Sequence, residues 1–524
     1  MRGLRSLLGA ALASVLLAPA APAATPSPWA REAARARAAL DRSVRAGYVT
    51  PAEAARDRAI LAQARAVRDR VPPLRAQVLD TVLAEVARPA SPIGPRALEL
   101  YATLAENAAY LASHRLPAPG ADVAGPDGAV YRSFPGVGLQ FHPLANASEL
   151  NQLVADGDTA GASALAAALA ARAIPVAGGG AVWEYEFPFG GERGPWTSGM
   201  AQAVMAQALA RAGWTALARR AFRAIPGALD RELPAGPWIR LYSGRPDVVL
   251  NAQLQSAISL GDYAQRAHDA AAAAYANRLL AAAKAMLPRF DTGHWSRYSL
   301  GVESDLHYQD YVIELLDTLG RRTGDPAWTA AAARFQRDET QPPAMTAATV
   351  TRVVYPRPRD GVRDALVVRF WLSKIAKVAL VVDGKAVDGF TWPSGWHTFD
   401  WVPATLGVGE HTVRLVAASL SGVPGATDLG AFAVARDTTP PVLAAAKAGG
   451  RVFFSAHDTE SACCRLRLEL RRDGAERTLV LRRPRGAVAV PPGYWLVTVV
   501  ARDAAGNTAT RSVGLVVGQA TVKK

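Results

Sequence analysis

Between Trp29 and about His114, apolar positions recur every three or four residues in an Ala/Leu/Arg-rich background. That spacing predicts amphipathic helices packed along one face. Thr50-Pro51-Ala52-Glu53 has the form of an N-cap with proline at the first helical position, and Pro72-Pro73 closes that helix. Pro89, Pro92 and Pro95 punctuate the next connection. The texture changes over 117–196, where Gly, Pro and aromatic residues crowd "GPDGAVYRSFPGVGLQFHPLANASELNQLV" ahead of a helical stretch expected over Glu149–Arg172. In "GGGAVWEYEFPFGGERGPW", Trp183, Tyr185 and Phe187 alternate with Glu184 and Glu186, the period of a strand or hairpin arm. Helices are then predicted at Ser198–Ala212, Leu217–Ala224, Val248–Leu260, Gln265–Met286, Tyr308–Arg322 and Pro326–Arg337. Helices paired by short loops, with Gly-rich aromatic segments between pairs, fit an α/α toroid (a helical hairpin barrel) with short β segments.

After Gln341-Pro342-Pro343 every pattern has period two. "ALVVRFWL", "KVALVVDGKAV", "WHTFDWVP" and "HTVRLVAASL" read as strands, with Asp383-Gly384 as a hairpin turn. "DTTPPVLAA" restarts the theme, and the last strands turn at Gly506-Asn507. The expected fold is therefore multidomain α+β. An N-terminal helical region spans 24–118 and the toroid 119–342, followed by immunoglobulin-like β-sandwich modules at 343–437 and 438–524.

Three-part patterning at the start, with Arg2 and Arg5, an apolar Leu7 to Leu17 and Ala21-Pro22-Ala23, predicts an export signal over 1–23. The expected destination is secreted or cell-surface. No other run reaches the ~20 apolar residues of a membrane helix, so no transmembrane segment is expected. Hydrophobic residues make up 50% of the 524 and charged ones 20%, which excludes a disordered chain. The two cysteines, Cys463 and Cys464, are adjacent; on a strand they would point opposite ways, which favours two thiols over a vicinal bridge. A formal charge of +14 suits a polyanion, although the arginines are spread along helices such as that from Ala30 to Arg45.

Serine-hydrolase, phosphate-loop and dinucleotide-binding motifs are absent, as is zinc-ligand spacing. Carboxylates that could serve a glycosidase or lyase include Glu184, Glu186, Glu192, Asp291, Glu303, Asp305 and Asp310. No spacing singles out a pair, and most are expected to be solvated or capping groups. More distinctive are the aromatic and basic residues at helix boundaries. "GPWIRLYSGRPDVVLNAQ" sets Arg240, Tyr242 and Arg245 before a helix carrying Asn251. "AMLPRFDTGHWSRYSLGVESDLHYQDYVIELL" sets Asp291, His294, Arg297, Tyr298, His307 and Tyr308 between two helices. Loops that dense in Tyr, His and Arg favour a binding cleft on a rigid scaffold.

Several of these segments, in order from about Tyr131 to Leu316, resemble the C-terminal domain of the D-glucuronyl C5-epimerases. "GPWTSGMAQAVMAQALARAGW" is similar to that family's Trp-x-Ser-x-Met-Ala-Gln helix start, and "LYSGRPDVVLNAQLQSAISLGDY" to its Tyr-containing loop before a Leu-Asn helix. "AKAMLPRFDTGHWSRYSL" resembles its Leu-Pro-x-(Tyr/Phe)-Asp-Thr-Gly segment, and "GLQFHPLANASELNQL" its aromatic-Pro stretch.

The resemblance implies inversion at C5 of glucuronic acid residues in a glycosaminoglycan-type acidic polysaccharide, without metal, cofactor or nucleic acid. Tyr242 and Tyr298 match two of the family's catalytic tyrosines, the third falls on His307 or Tyr308, and Asn251 matches its Leu-Asn position. Arg240, Arg245, Arg297, Trp196 and His294 are the expected substrate-binding residues. Leu241 stands where the family has Glu, and Gly301 near where it has Arg. Removing a proton α to a carboxylate builds an enolate-like dianion, so a tyrosine base, with a pKa near 10, needs positive charge beside it. A polysaccharide lyase begins with the same abstraction, and a non-catalytic glycan-binding envelope protein would keep only the cleft. The oligomeric state is left open.

Overall fold

The computed structural model describes residues 27–88 and 94–518, with no account of side chains beyond 514. The expected export segment, 1–23, lies outside the described residues. Among the described residues helices predominate first, with short strands between them, and larger sheets come after. Twelve α-helices end with Pro326–Thr340, and strands run from Met345 onward. The coarse expectation of an α+β multidomain chain holds. No described helix is long and apolar enough to cross a membrane.

The chain forms two compact units. The first comprises the described residues up to Arg231 with Arg240–Pro246 and Ser259–Ala276; the second holds Glu232–Ile239, Asp247–Ile258 and Asn277 onward. In the first unit, α1 (Pro28–Arg45), α2 (Pro51–Arg68), α3 (Pro73–Ala87) and α4 (Gly94–Ser113) share a core built on Trp29, Leu40, Leu61, Leu79, Val82, Leu100 and Leu104. Thr50 caps α2 as predicted, in a full capping box: its Oγ1 accepts from Glu53 N at 3.2 Å and its N–H reaches Glu53 Oε2 at 2.8 Å.

A three-stranded sheet follows (Asp122–Ala124, Val130–Phe134, Gly138–Phe141). Gly138 has φ +101°, and a Cβ there would lie 2.5 Å from Asn107 Oδ1, the atom that accepts from Leu139 N–H. The single helix expected over Glu149–Arg172 is two, α5 (Pro143–Ala155) and α6 (Thr159–Ala171). Gly157 at φ +77° breaks the chain, and Asp158 starts a new cap on Gly161 N–H. Next come α7 (Gly199–Arg211), nearly all buried, and α8 (Thr215–Arg223).

The helix α9 (Leu250–Ala267) runs through the break expected near 261–264. It stops at His268, φ +50°, where Asp269 accepts from Ala272 N–H at the start of α10 (Ala270–Met286). In the second unit, α11 (Leu306–Thr323) and α12 (Pro326–Thr340) pack on Trp238, Leu254, Phe290, Trp328 and Phe335. The sheet Met345–Val350, Leu366–Leu372, Gly395–Trp401 then shares a core with the five strands Val353–Val354, Pro424–Val434, Gly409–Ser419, Ala376–Val382 and Lys385–Trp392. Asp383 and Gly384 both take positive φ, as a two-residue hairpin turn requires.

The strands Val442–Ala448, Arg451–His457 and Arg485–Ala489 share a further core with Ala475–Leu481, Arg465–Arg472, Gly493–Arg502 and Thr508–Gly518. Cys463 and Cys464 are joined as a disulfide. The expectation of two thiols assumed a strand, but both residues precede the strand that starts at Arg465. The first β module is fastened to the helices. Lys374 Nζ donates to Asp338 O in the last turn of α12 and to Gln341 O just beyond it. Ser421 Oγ donates to Glu339 O, and Glu303 accepts from Ser394 N–H at 2.6 Å.

Candidate active site

In the second unit, the loop after α10 is built to project aromatic side chains. Asp291 pairs with Arg334 at 2.5 Å and accepts from Gly293 N–H. Trp295 is buried, with its indole N–H on Ser304 O, and the hydroxyls of Ser296 and Ser304 lie 2.8 Å apart. Gln309 closes the loop by accepting from Ser296 N–H and donating to Phe335 O. This rigid base carries the hairpin Arg297–Ser299/Val302–Glu303, on which Tyr298 is half-buried.

Asp305 caps α11 through Tyr308 N–H, which fixes His307 and Tyr308 in the first helical turn. The rings of Tyr298 and Tyr308 are 4.6 Å apart, and His307, exposed, lies 5.6 Å from Tyr308. Arg297 is half-buried, its Nη1 on Leu300 O at 3.5 Å. A bridge between Val249 and Ser299 brings the start of α9 to the same hairpin. Asn251, in that first turn, is buried and its Oδ1 has no hydrogen-bond partner. His294 is turned elsewhere, 6.3 Å from Trp371 of the first β module.

In the first unit, Tyr185 and Trp196 pair backbone to backbone and stack with centroids 4.0 Å apart. Phe187, Phe189 and Phe134 complete the aromatic cluster. Trp196 is buried, with its indole N–H on Phe187 O at 2.9 Å, so it serves the packing of this arm. Tyr242 is half-buried beside Trp196 at 5.4 Å, with the Arg245 guanidinium 5.3 Å over its ring. Arg245 also donates to Gly190 O. Arg240 Nε donates to Asp230 O at 2.9 Å, and its carbonyl accepts from Gly199 N–H at the start of α7. Two tyrosines thus have a cation or a second hydroxylated ring against them, Tyr242 in one unit and Tyr298 in the other.

A buried carboxyl cluster in the first unit escaped the sequence reading. Arg96 grips Glu184 with two bonds of 2.9 Å and lies 3.4 Å from Glu186, where no hydrogen bond forms. Burial pushes the Glu186 carboxyl up to about 7 and that of Glu85 up to about 8, and raises Glu99 well above the carboxylate range. Of the candidate carboxylates named from the sequence, Glu184 is half-buried and Glu186 buried, both beside Arg96. The available signal was on α4, where Glu99, Thr103 and Asn107 recur every fourth residue inside an apolar face. Glu85 and Glu99 are buried on α3 and α4, and Glu184 keeps partial exposure beside Arg96.

In each unit, then, a tyrosine from the expected set lies against an arginine or a second aromatic ring at a helix boundary. Residues 179–337 match the family model of the D-glucuronyl C5-epimerase C-terminus, the family that the sequence motifs pointed to. The match begins later than the resemblance from about Tyr131 and extends beyond Leu316 to the end of the helices. No curated protein matches this chain. Among solved structures, the fibronectin(III)-like modules of CbhA from Clostridium thermocellum are similar at 13% identity and TM-score 0.17, over 34% of this chain and 97% of that one. Latent PorU from Porphyromonas gingivalis is similar at 13% identity and TM-score 0.15, over 34% of this chain and 20% of that one. Beta-glucuronidase 3 from Bacteroides uniformis is similar at 14% identity and TM-score 0.14, over 36% and 26%. Likenesses this distant carry no functional argument.

Proposed function

We propose that this protein is an exported epimerase that inverts C5 of uronic acid residues in an acidic polysaccharide. The observation that carries the reading is the epimerase family match over 179–337, the segment that holds Tyr242, Tyr298, His307 and Tyr308. The proposal takes the helical part at 119–342 as an α/α toroid and 343–437 and 438–524 as immunoglobulin-like modules. It takes 1–23 as the export signal.

The chemistry divides by distance. A pyranose held between two rings needs about 7–8 Å between them, twice the van der Waals contact of roughly 3.5–4.0 Å. Tyr298 and Tyr308, at 4.6 Å, are too close for that and serve one face of the sugar together. Tyr298 exchanges the C5 proton, with Tyr308 and His307 stabilising its ionised form. Arg297 offers the charge for the substrate carboxylate. By the sequence resemblance Tyr242 is the second catalytic tyrosine, and the Arg245 cation lies over its ring.

Proton NMR of uronate polymers incubated with the protein in deuterated water tests this. Deuterium is expected at C5, with exchange lost in Tyr298→Phe. Absence of exchange across glucuronate- and mannuronate-containing polymers overturns the reading. Release of unsaturated sugars absorbing in the near ultraviolet would assign a lyase instead.

A further inference from the structure

Three aspartates that are far apart in the chain meet in the second β module. Asp437 lies in the connection between Pro424–Val434 and Val442–Ala448, Asp458 follows the strand ending at His457, and Asp503 follows the strand ending at Arg502. One carboxylate oxygen from each lies within 4.8 Å of the other two. Backbone N–H groups of their own loops fix all three. Thr439 donates to Asp437 Oδ1, Glu460 and Ser461 donate to Asp458 Oδ1, and Gly506 and Asn507 donate to Asp503 Oδ1. Asn507 Nδ2 spans the cluster, from Asp503 Oδ2 at 3.0 Å to Asp437 O at 3.2 Å.

Two polar atoms remain unused. Asp437 is 7% exposed, its carboxylate enters the cluster, and its Oδ2 has no hydrogen-bond partner. Ser461, whose N–H holds Asp458, is 2% exposed and its Oγ has no partner. A buried carboxylate oxygen is costly without a compensating charge or donor. Three like charges this close repel, which a cation reverses.

We propose that Asp437, Asp458 and Asp503 bind a divalent cation of the Ca2+ class, with the Ser461 hydroxyl as a further oxygen. All-oxygen ligands, without His or Cys, suit Ca2+ over zinc or copper. The family resemblance implies no metal and the sequence has no zinc-ligand spacing, but neither bears on ligands carried by three separate loops of a β module. The cation links the inter-module connection to two loops of the second module. Asp360 Oδ2 of the first module accepts from Ala462 N–H at 2.7 Å beside it, so the site sits at the joint between the modules. Occupancy stiffens that joint.

The test uses the full chain after chelator treatment. Tyr355, electrostatically coupled to Asp437, is the antenna for Tb3+ luminescence, with Ca2+ as competitor. One saturable ion per chain is expected, displaced by Ca2+ with a Kd on the order of 10⁻⁴–10⁻³ M, the range of extracellular modules. Ca2+ should raise the melting temperature and slow proteolysis between Val434 and Val442. Asp458→Asn, at a half-buried position, should lose at least tenfold in Tb3+ affinity and abolish the Ca2+-dependent shift, with an unchanged circular dichroism spectrum. No saturable Tb3+ signal in the parent chain overturns the proposal, as does unchanged affinity in Asp458→Asn.

Discussion

Glu85, on α3, offers a test of how burial controls charge in the first unit. Its Oε2 accepts from Gln140 Nε2 at 2.9 Å, whereas Oε1 is buried without a partner. Burial raises its pKa from 4.5 to about 8, against the pull of the Gln140 bond and Arg88, with Glu186 adding to the rise. A folded pKa above the unfolded one means that the native state binds the proton more tightly. The stabilisation is complete below about pH 4.5 and is lost as pH rises through about 8. At 1.36 kcal/mol per pH unit, keeping Glu85 buried costs about 3 kcal/mol at pH 7 and about 5 kcal/mol at pH 9. Glu85→Gln keeps the volume and an acceptor for Gln140 while removing the titration. The variant should equal the parent at pH 4 and exceed it by about 3 kcal/mol at pH 7, a rise of roughly 6–12 °C in Tm for a unit this size. Urea unfolding from pH 4 to 9, followed by far-UV circular dichroism, reads the difference. A stability difference that does not vary with pH, or a variant less stable at pH 7, would refute the assignment of a buried, proton-holding carboxyl.

Thr50→Ala removes the side-chain half of the α2 capping box and should cost about 1 kcal/mol, seen as faster amide exchange in the first turn of α2. Gly138→Ala forces a side chain onto φ +101° and against Asn107 Oδ1; a loss of about 2–4 kcal/mol in denaturant unfolding is expected. Gly136→Ala, with open space around it, should cost only about 1 kcal/mol of backbone strain. Lys374→Met strips the cation from Asp338 O and Gln341 O and should lower the stability of the second unit by about 3 kcal/mol, measured by calorimetry. Under the proposed function, Tyr298→Phe should reduce C5 exchange by roughly 10²–10⁴-fold. Gly301→Arg, at an open turn beside Tyr298, should be tolerated in folding and increase exchange.

What the sequence revealed was local. Thr50 with Glu53 and Asp383 with Gly384 each act within a few residues, so spacing alone places the cap and the hairpin turn. The Glu149–Arg172 stretch misled because Ala and Leu on both sides of Gly157 keep the helical period, while the break depends on one positive φ and the Asp158 cap. At Gly261 the reverse held, since a glycine in an open helical position breaks nothing. No spacing singled out Glu184 and Glu186 among the carboxylates, because Arg96 lies on a helix 88 residues from Glu184. The same limit hid Asp437, Asp458 and Asp503, whose proximity exists only once two sheets close on each other. Of the expected site residues, Tyr298, His307 and Tyr308 do converge, because one hairpin and one cap hold all three.

The bonds that Lys374, Ser421 and Ser394 make to the helices also bear on how the protein can be divided. Gln341-Pro342-Pro343 has the composition of a linker, and a cut there would look natural for producing the matched segment alone. Yet such a cut would strand the carbonyls of Asp338, Glu339 and Gln341 and return the Glu303 carboxylate to water. Glu303 ends the hairpin that carries Tyr298. The portable piece of this protein therefore ends after Val434, and a β module that resembles a spacer is part of the foundation under the tyrosine loop.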